Sequence, residues 1–565
     1  MKALIREYLA SLKEREELDA ILPDLLSELG FNVYSRPRRG TLQRGVDIAA
    51  IGEDGGELKV FLFSVKSGDL TRQEWDGTPQ ALRSSLNEIR DVYVRNRIPT
   101  RYKDLRVVIC LAFGGDVHEQ VREPLAGYIA ENTTERITFD EWNGDKIAGL
   151  ILRGILREEI LPKPMRSSFQ KAVAMVDEPD VAYQHFARLA KELRRAGGAS
   201  TKDRVRAARQ LNICLWILFV WARDAGNLEV PYRASELTLL SVWELLRPTI
   251  NSKNRGSKAL TFVVGQIIEV HLAIAHEFLE QKVFPYTHVR HGISLSIRSR
   301  SSLDVNLALF ELLGRIGMVG LWMHWLGEKG DSKSREAANK GLAHFAQEGL
   351  ALIRNNPTLL LPRTDRQGTD IALFLLLWAA SGLDATGVSS WLSEMAKRLD
   401  FAMRTRGQYP VCSSDYRELA DHPRDGSEDY FQEATAGSTV IPLVAAWLQA
   451  LGQLEAVETL STLVRDELEH CTLQLWMPDP AWEENLFKDN QSHGRALYDL
   501  PLGEGGPQLL ETIAEACQAD AAFDELSANK AGFWPVVLVA CRHYQLPIPP
   551  GYWISSLITP EEEPK

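Results

Sequence analysis

The strongest constraint on the fold is a change in sequence pattern at residues 161–168. Before this segment, amphipathic helical patterns alternate with short strand-like runs, whereas nearly every later segment has helical periodicity. Pro162 and Pro164 interrupt the pattern, because proline does not continue a helix. We therefore predict an α/β domain over residues 1–162, a linker at 163–168 and an all-α region over 169–565.

The all-α region carries little information about function. A chain of 565 residues is longer than one hydrophobic core usually supports, so about two or three domains are expected. Its helices have no fixed repeat period, but they suit stacked helical pairs, with a division into two subdomains near residues 350–410. We expect this region to sense a trigger or to bind partners.

The α/β domain begins with an amphipathic helix and a β-hairpin. The apolar stripe of Glu17–Gly30 predicts the helix, and Gly30 is placed to end it. Strand-like Gly45–Ile51 and Leu58–Lys66 flank the turn Gly52–Gly56. The pattern then predicts a mixed sheet flanked by helices from four further elements: a helix at Gln80–Asn96, a strand at Leu105–Phe113, a helix at Val117–Asn132 and a strand at Arg136–Phe139.

The hairpin carries the residues that suggest chemistry. An antiparallel pair of strands would bring Asp47 close to Lys66. Because side chains alternate along a strand, Ser64 and Lys66 share one face, and Phe61, Phe63 and Val65 share the face that packs inward. The polar residues are therefore predicted to point into a cleft. An isolated Asp and Lys at this spacing can also simply decorate a hairpin.

The order of elements resembles the Mrr-type branch of the PD-(D/E)xK restriction endonucleases. The matching stretches are Leu25–Phe31, Gly45–Asp47 and Ser64–Lys66, and the likeness extends to Trp142–Lys146. The resemblance covers the predicted α/β domain alone. It implies a restriction-endonuclease-like fold and cleavage of DNA assisted by Mg²⁺ or Mn²⁺.

The resemblance also implies roles for individual residues. Asp47 would bind the metal, Lys66 would serve the attacking water, and Glu17 on the first helix would support the ion, although Glu17 also suits a solvated helix start. Ser64 departs from the family, which usually has Glu, Asp or Gln there, and a hydroxyl is a weaker Mg²⁺ ligand than a carboxylate. The Val65 carbonyl could still ligate the metal, and Glu57 or Asp69 could compensate.

Two groups of basic residues could contact DNA. The first lies in the loop entering Asp47 and comprises Arg36, Arg38, Arg39 and Arg44. The second follows the hairpin and comprises Arg90, Arg95, Arg97, Arg101, Lys103 and Arg106. The net charge of -12 argues against a protein that coats nucleic acid, so any contact with phosphates must be local.

The resemblance suggests a Mg²⁺-dependent DNA endonuclease, the effector subunit of a prokaryotic restriction or anti-phage system. The alternative is a catalytically inert nuclease fold that binds DNA or serves as a scaffold, and a third reading is a protein adaptor. No phosphate-binding loop is present in the sequence, so an ATPase or helicase subunit is the expected partner if ATP is needed. We also expect a homo-oligomer, because cutting both strands commonly uses paired active sites.

The remaining sequence features indicate a cytoplasmic protein. The six cysteines include no CxxC pair, which favours free thiols over a zinc site. The start of the chain lacks the apolar stretch of a secretory signal. The longest apolar runs fall short of the roughly 18 residues that cross a bilayer, so no membrane association is expected.

Overall fold

The computed structural model describes most of the chain. Described are residues 5–6, 9–10, 18–36, 44–79, 81–154, 163–198, 200–252, 254–479, 481–489, 494–498, 500–502 and 508–557. The secondary structure given below refers to these residues.

The first part of the chain is an α/β fold whose elements follow the predicted order. They are α1 (Asp19–Glu28), β1 (Asn32–Ser35), β2 (Ile48–Asp54), β3 (Glu57–Lys66), α2 (Arg72–Asp76), α3 (Leu82–Glu88), β4 (Arg106–Phe113), α4 (Glu119–Asn132), β5 (Ile137–Trp142) and α5 (Gly144–Gly154). Helix α3 continues through a π-helical turn, Ile89–Tyr93, to Val94–Asn96.

The five strands form one mixed sheet in the order β1-β2-β3-β4-β5. Strands β1, β2 and β3 are antiparallel, while β3, β4 and β5 are parallel. Ile48 pairs with Phe63 in the hairpin, and Lys66 pairs with Phe113 on β4. The mixed sheet flanked by helices is therefore confirmed.

Both faces of the sheet are covered. On one face, Val60 and Leu62 join a core with Leu82 and Leu86 of α3 and Val121 of α4. On the other face, Phe61 packs edge-on against Phe31, and Phe63 packs edge-on against Trp142, each with ring centroids 4.9 Å apart. Strand β3 is thus buried on both sides, which is typical of a strand with a parallel neighbour beneath crossover helices.

The rest of the chain is mainly helical. Its helices are α6 (Lys163–Ala174), α7 (Pro179–Ala196), α8 (Thr201–Asp224), α9 (Glu229–Leu246), α10 (Arg255–Phe278), α11 (Phe284–Thr287), α12 (Gly292–Ser296), α13 (Ser302–Lys329), α14 (Ser332–Asn355), α15 (Gly368–Ser381), α16 (Thr386–Arg404), α17 (Tyr416–Asp421), α18 (Glu428–Ala434), α19 (Val440–Ala450), α20 (Leu454–Glu467), α21 (Glu483–Leu486), α22 (Gln508–Gln518), α23 (Ala521–Glu525), α24 (Ser527–Lys530) and α25 (Pro535–Tyr544). A large helical region after the α/β part is confirmed.

Short strands also occur in this region, which was predicted to be all helical. Strand β6 (Gly437–Ser438) pairs with β7 (Thr472–Leu473), and β8 (Leu475–Met477) pairs with β9 (Arg495–Leu497). These strands are two or three residues long, too short to produce a readable alternation in the sequence.

The chain divides into two compact units at a position different from the predicted one. Unit 1 comprises Met1–Leu246 and Lys253–Val270, and unit 2 comprises Arg247–Ser252 and His271–Lys565. The α/β part therefore shares a unit with α6 to α9, so the predicted boundaries at 162–169 and near 350–410 do not coincide with this division. Contacts within unit 1 explain the difference: Arg209 of α8 forms an ion pair with Glu28 of α1 at 2.9 Å.

The predicted linker at 163–168 is helical. Lys163–Ala174 forms α6, and Pro164 stands in its first turn. Proline is tolerated there because the N–H groups of the first turn have no helical partner in any case. Pro164 therefore lies at the start of a helix and does not mark a linker.

Three helical segments are long and apolar enough to span a bilayer by length and composition alone. They are Thr201–Asp224, Arg255–Thr287 and Ser302–Lys329. Most residues of their apolar stretches, 78%, 56% and 78% respectively, are buried inside the protein. The expectation of a protein without membrane association stays a prediction.

Candidate active site

Asp47 lies directly before β2 and is bound to the end of β3. Its N–H donates to the Phe63 carbonyl at 2.8 Å, and its Oδ2 accepts a hydrogen bond from the Val65 N–H, also at 2.8 Å. The carboxylate is therefore fixed beside the backbone that carries Ser64 and Lys66. The predicted proximity of Asp47 to the end of β3 is present in the structure.

The backbone ahead of Asp47 adopts an unusual conformation that only certain residues allow. Arg44 and Gly45 both have left-handed φ values, 55° and 78°. A Cβ at Gly45 would lie 2.3 Å from the Ser85 carbonyl oxygen on α3. Gly45 therefore allows the loop to pass against α3 and deliver Asp47 to β3.

We expect Gly45→Ala to destabilise the protein by about 2 kcal/mol, because alanine in the left-handed region costs roughly 1–2 kcal/mol and the clash with Ser85 adds to it. Gly55→Ala is the matched control: Gly55 also has a positive φ of 63°, but a Cβ there would meet no atom within 4 Å. Thermal unfolding of both variants gives the comparison. Equal loss in the two would show that contact with α3 is unimportant.

Ser64 and Lys66 are more buried than the predicted cleft implies. Ser64 is 1% exposed to solvent and Lys66 is 7% exposed. They alternate with Val65 and so lie on the face of β3 that Val60 and Leu62 share with α3 and α4. The prediction of a shared face holds, but that face is packed rather than open, with Lys66 at the end of the strand.

The loops beyond the parallel strands form a layer next to Lys66. Gly115 N–H donates to the Gly68 carbonyl at 2.8 Å, and Gly144 N–H donates to the Gly115 carbonyl at 2.9 Å. Asp69 accepts from the Asp116 N–H at 2.8 Å, and its Oδ2 is 3.4 Å from His118 Nε2. Additional polar groups therefore surround the edge of the sheet at which β3 ends.

The two residues named as substitutes for Ser64 differ in position. Asp69 follows Lys66 by three residues at the same end of β3, whereas Glu57 begins the strand. Glu57 lies nine positions before Lys66 on the extended strand, which corresponds to roughly 30 Å. Asp69 therefore remains a candidate metal ligand in place of Ser64, whereas Glu57 is too far away.

The first basic group is divided in the structure. Arg44 lies three residues before Asp47, at the same edge of the sheet, while Arg38 and Arg39 fall outside the described residues, as does the proposed metal-supporting Glu17. Arg36 makes contacts within the protein. Its Nη1 is 3.7 Å from Asp24 Oδ1, and its guanidinium lies over the Phe262 ring, 4.4 Å from the ring centroid. We therefore remove Arg36 from the candidate DNA surface.

At least part of the second basic group lies at the opposite edge of the sheet. Arg106 begins β4 and pairs in register with Lys59, seven residues before Lys66 on β3. That separation corresponds to roughly 23 Å along the strand. Arg106 is also 3.5 Å from Glu57. Arg106 therefore lies too far from Asp47 to belong to the same DNA-binding surface.

Three oxygen donors of the described residues belong to the end of β3 or are bound to it: the Asp47 carboxylate, which accepts from the Val65 N–H, the Ser64 hydroxyl and the Val65 carbonyl. Among the described residues, no group of three or more His, Cys, Asp or Glu side chains is positioned to hold a metal. Mg²⁺ usually retains several waters and is held by one or two carboxylates plus substrate phosphates, so this set fits a weakly held Mg²⁺.

Sequence reasoning missed a buried charge cluster in the same compact unit. Asp24 of α1 is 2% exposed and lies near Arg36 and Arg209, at 3.7 and 3.6 Å. Burial raises the pKa of Asp24, and the charges of Arg209 and Arg36 oppose that rise. The available signal was Asp24 itself, a carboxylate between Leu22 and Leu25 in an apolar stripe.

Comparison with protein-family models, with curated proteins and with solved structures finds no match to this chain.

Proposed function

We propose that this protein is a Mg²⁺-dependent DNA endonuclease, the effector subunit of a prokaryotic restriction or anti-phage system. The observation that carries the proposal is the 2.8 Å hydrogen bond from Val65 N–H to Asp47, which holds a carboxylate beside the end of β3 that bears Lys66. The mixed sheet flanked by helices supports a restriction-endonuclease-like fold for the α/β part.

Each residue has a defined task in this proposal. Mg²⁺, when bound, would neutralise the non-bridging phosphate oxygens and lower the pKa of a water. Asp47 would hold the ion, and its hydrogen bond from Val65 fixes the orientation of the carboxylate. Lys66 would orient the attacking water, and Arg44, at the same edge, would contact a neighbouring phosphate. ATP-driven steps would fall to a separate ATPase or helicase subunit.

A second candidate is a nuclease fold without catalysis that serves as a DNA-binding or scaffolding subunit. Two observations favour it: Ser64 stands where the resembled family has a carboxylate or amide, and the described residues contain no cluster of three metal-binding side chains. The two candidates make opposite predictions about cleavage.

The deciding experiment incubates the full chain with supercoiled plasmid DNA in Mg²⁺, in Mn²⁺ and in EDTA. Nicking or linearisation that requires the cation supports the endonuclease. Salt-sensitive DNA binding with no cleavage under any of these conditions supports the inert subunit. Absence of both overturns the two candidates together.

We expect Ser64→Asp to destabilise the protein in EDTA, because Ser64 is only 1% exposed, and to strengthen cation binding, because it adds a carboxylate to the donor set at the end of β3. The Mg²⁺ concentration that gives half-maximal stabilisation in thermal unfolding should fall by roughly tenfold, the scale of one supporting group at a metal site. Ser64→Asn is the matched control of similar shape without the charge. An unchanged Mg²⁺ dependence in Ser64→Asp would argue against a cation at this position.

A further inference from the structure

Unit 2 carries a strongly basic segment that the candidate active site does not use. Over residues 281–303 the sequence contains no Asp or Glu, although the whole chain has a net charge of -12. Within this segment, four cationic side chains are exposed: Lys282, Arg290, Arg298 and Arg300. We call residues 282–300 the basic surface.

The cations of the basic surface are not used in ion pairs with other described residues. Within the part of the chain that the structure describes, no carboxylate lies within ion-pair distance of any of these four side chains, whereas other arginines of unit 2, such as Arg404 and Arg406, are paired. His288, in the same segment, does contact a carboxylate, with its Nε2 3.1 Å from Glu348 Oε1. The remaining positive charge is therefore available to an external anion.

The basic surface is held in a defined shape by the end of α14. His291 N–H donates to the Asn355 carbonyl at 2.8 Å, and the Asn355 side chain donates to the Thr287 carbonyl at 2.9 Å. The Ser294 hydroxyl donates to the Asn356 side chain at 2.5 Å. A defined backbone beneath the cations lowers the conformational entropy that is lost on binding.

Apolar and hydroxyl groups are interleaved with these cations. Tyr286 is 50% exposed and Leu295 is 83% exposed. In the sequence, Ser296 lies between Leu295 and Arg298, and Ser299 lies between Arg298 and Arg300. Arginine, serine hydroxyl and exposed aromatic groups are the side chains that contact phosphates and bases in nucleic-acid complexes. Interfacial membrane binding instead uses a long amphipathic helix, whereas the part of the basic surface that carries Arg290, Arg298 and Arg300 contains only α12, which is five residues long.

We propose that the basic surface of unit 2 binds nucleic acid through its phosphate backbone, with Arg290, Arg298 and Arg300 as the main contacts. The proposal concerns binding alone and uses residues of a different compact unit from Asp47 and Lys66. It therefore does not depend on catalysis at the candidate active site.

The test measures binding of the full chain to a short fluorescent DNA duplex by anisotropy at several salt concentrations. The triple variant Arg290→Gln/Arg298→Gln/Arg300→Gln should bind at least about tenfold more weakly. The slope of log K against log salt should fall by about two to three, because each lost phosphate contact contributes roughly 0.9. Circular dichroism checks that the exposed substitutions leave the fold unchanged.

The matched control removes three other exposed cations of unit 2, in Lys333→Gln/Arg335→Gln/Lys397→Gln. This variant has the same change in net charge and should retain both the affinity and the salt slope. Equal weakening in the two triple variants would overturn the proposal, because it would show an effect of net charge alone. Wild-type protein that does not bind DNA would also overturn it.

Two further measurements distinguish nucleic-acid binding by the basic surface from DNA cleavage and from membrane binding. Wild-type protein that binds the duplex but does not cleave plasmid DNA in Mg²⁺ or Mn²⁺ would contradict the endonuclease and leave this surface supported. Vesicles of phosphatidylglycerol test whether an anionic membrane is the ligand instead. Binding to vesicles that requires the three arginines, without binding to DNA, would overturn the assignment to nucleic acid.

Discussion

Lys66→Ala is expected to reduce Mg²⁺-dependent DNA cleavage by at least about 100-fold, because positioned proton-transfer and water-orienting groups typically contribute factors of 10² to 10⁴. Lys66 ends β3, next to the Val65 N–H that binds the Asp47 carboxylate. Asp47→Asn should have an effect at least as large. It keeps an acceptor for the Val65 hydrogen bond but removes the negative charge that would hold the cation. Plasmid nicking over a range of Mg²⁺ concentrations measures both.

The same hairpin supplies matched controls at its other end. Lys59 lies on β3 as well, and its Nζ is 2.9 Å from Asp54, the last residue of β2. Lys59→Ala and Asp54→Asn make the same chemical changes at the other end of the hairpin, roughly 23 Å and 30 Å from Lys66 along β3. They should leave cleavage within about twofold of wild type, since exposed ion pairs contribute at most about 1 kcal/mol to stability. Cleavage that survives Lys66→Ala would contradict the proposed site.

The hairpin was predictable because its signals are local. The turn Gly52–Gly56, the alternation along Leu58–Lys66 and the Gly-Val-Asp stretch all lie within about 20 residues of one another along the chain. Antiparallel pairing across such a short turn fixes which residues meet. The proximity of Asp47 to the end of β3 followed from the sequence for this reason.

The burial of Ser64 does not follow from alternation, because alternation assigns a side chain to a face without showing whether that face is covered. The run Val60–Val65 is apolar at every position but Ser64, which is the pattern of a strand covered on both sides. The parallel neighbour β4 and the layers of helices supply that cover. Alternation assigned the faces correctly, but the number of covering layers is a tertiary property.

The extent of the first compact unit and the role of Arg36 depend on contacts between distant positions. Arg209 and Glu28 are 181 residues apart in sequence. An arginine in a basic stretch of α8 has the same local appearance whether it is solvated or buried in an ion pair. Arg36 shows the same ambiguity, because its partners Asp24 and Phe262 lie on other elements.

The buried cluster around Asp24 leads to the second large expected effect. Arg209→Met should destabilise the protein by about 3 kcal/mol, because it leaves carboxylates in a buried environment without one of their cations. The side chains of Asp24, Glu28 and Arg209 are only 3%, 13% and 12% exposed. Methionine roughly preserves the packing of the aliphatic part of arginine, so the loss reports on the charge. Scanning calorimetry of the full chain should show the affected transition lowered by about 6 °C or more.

Arg206→Met is the matched control on the same helix and should cost less than about 1 kcal/mol of stability. Arg206 and its partner Asp203 lie on a more exposed face, with side chains 28% and 33% exposed.

The pH dependence of stability gives a further check. Burial raises the pKa of Asp24, and Arg209 opposes that rise, so its removal raises this pKa further. A carboxyl whose pKa is raised by folding destabilises the protein as pH increases above its value in the unfolded chain, about 3.9. The loss in free energy of unfolding caused by Arg209→Met should therefore be smallest in acid and should grow toward neutral pH. A loss that is the same at every pH would mean that Arg209 acts through packing and does not neutralise Asp24.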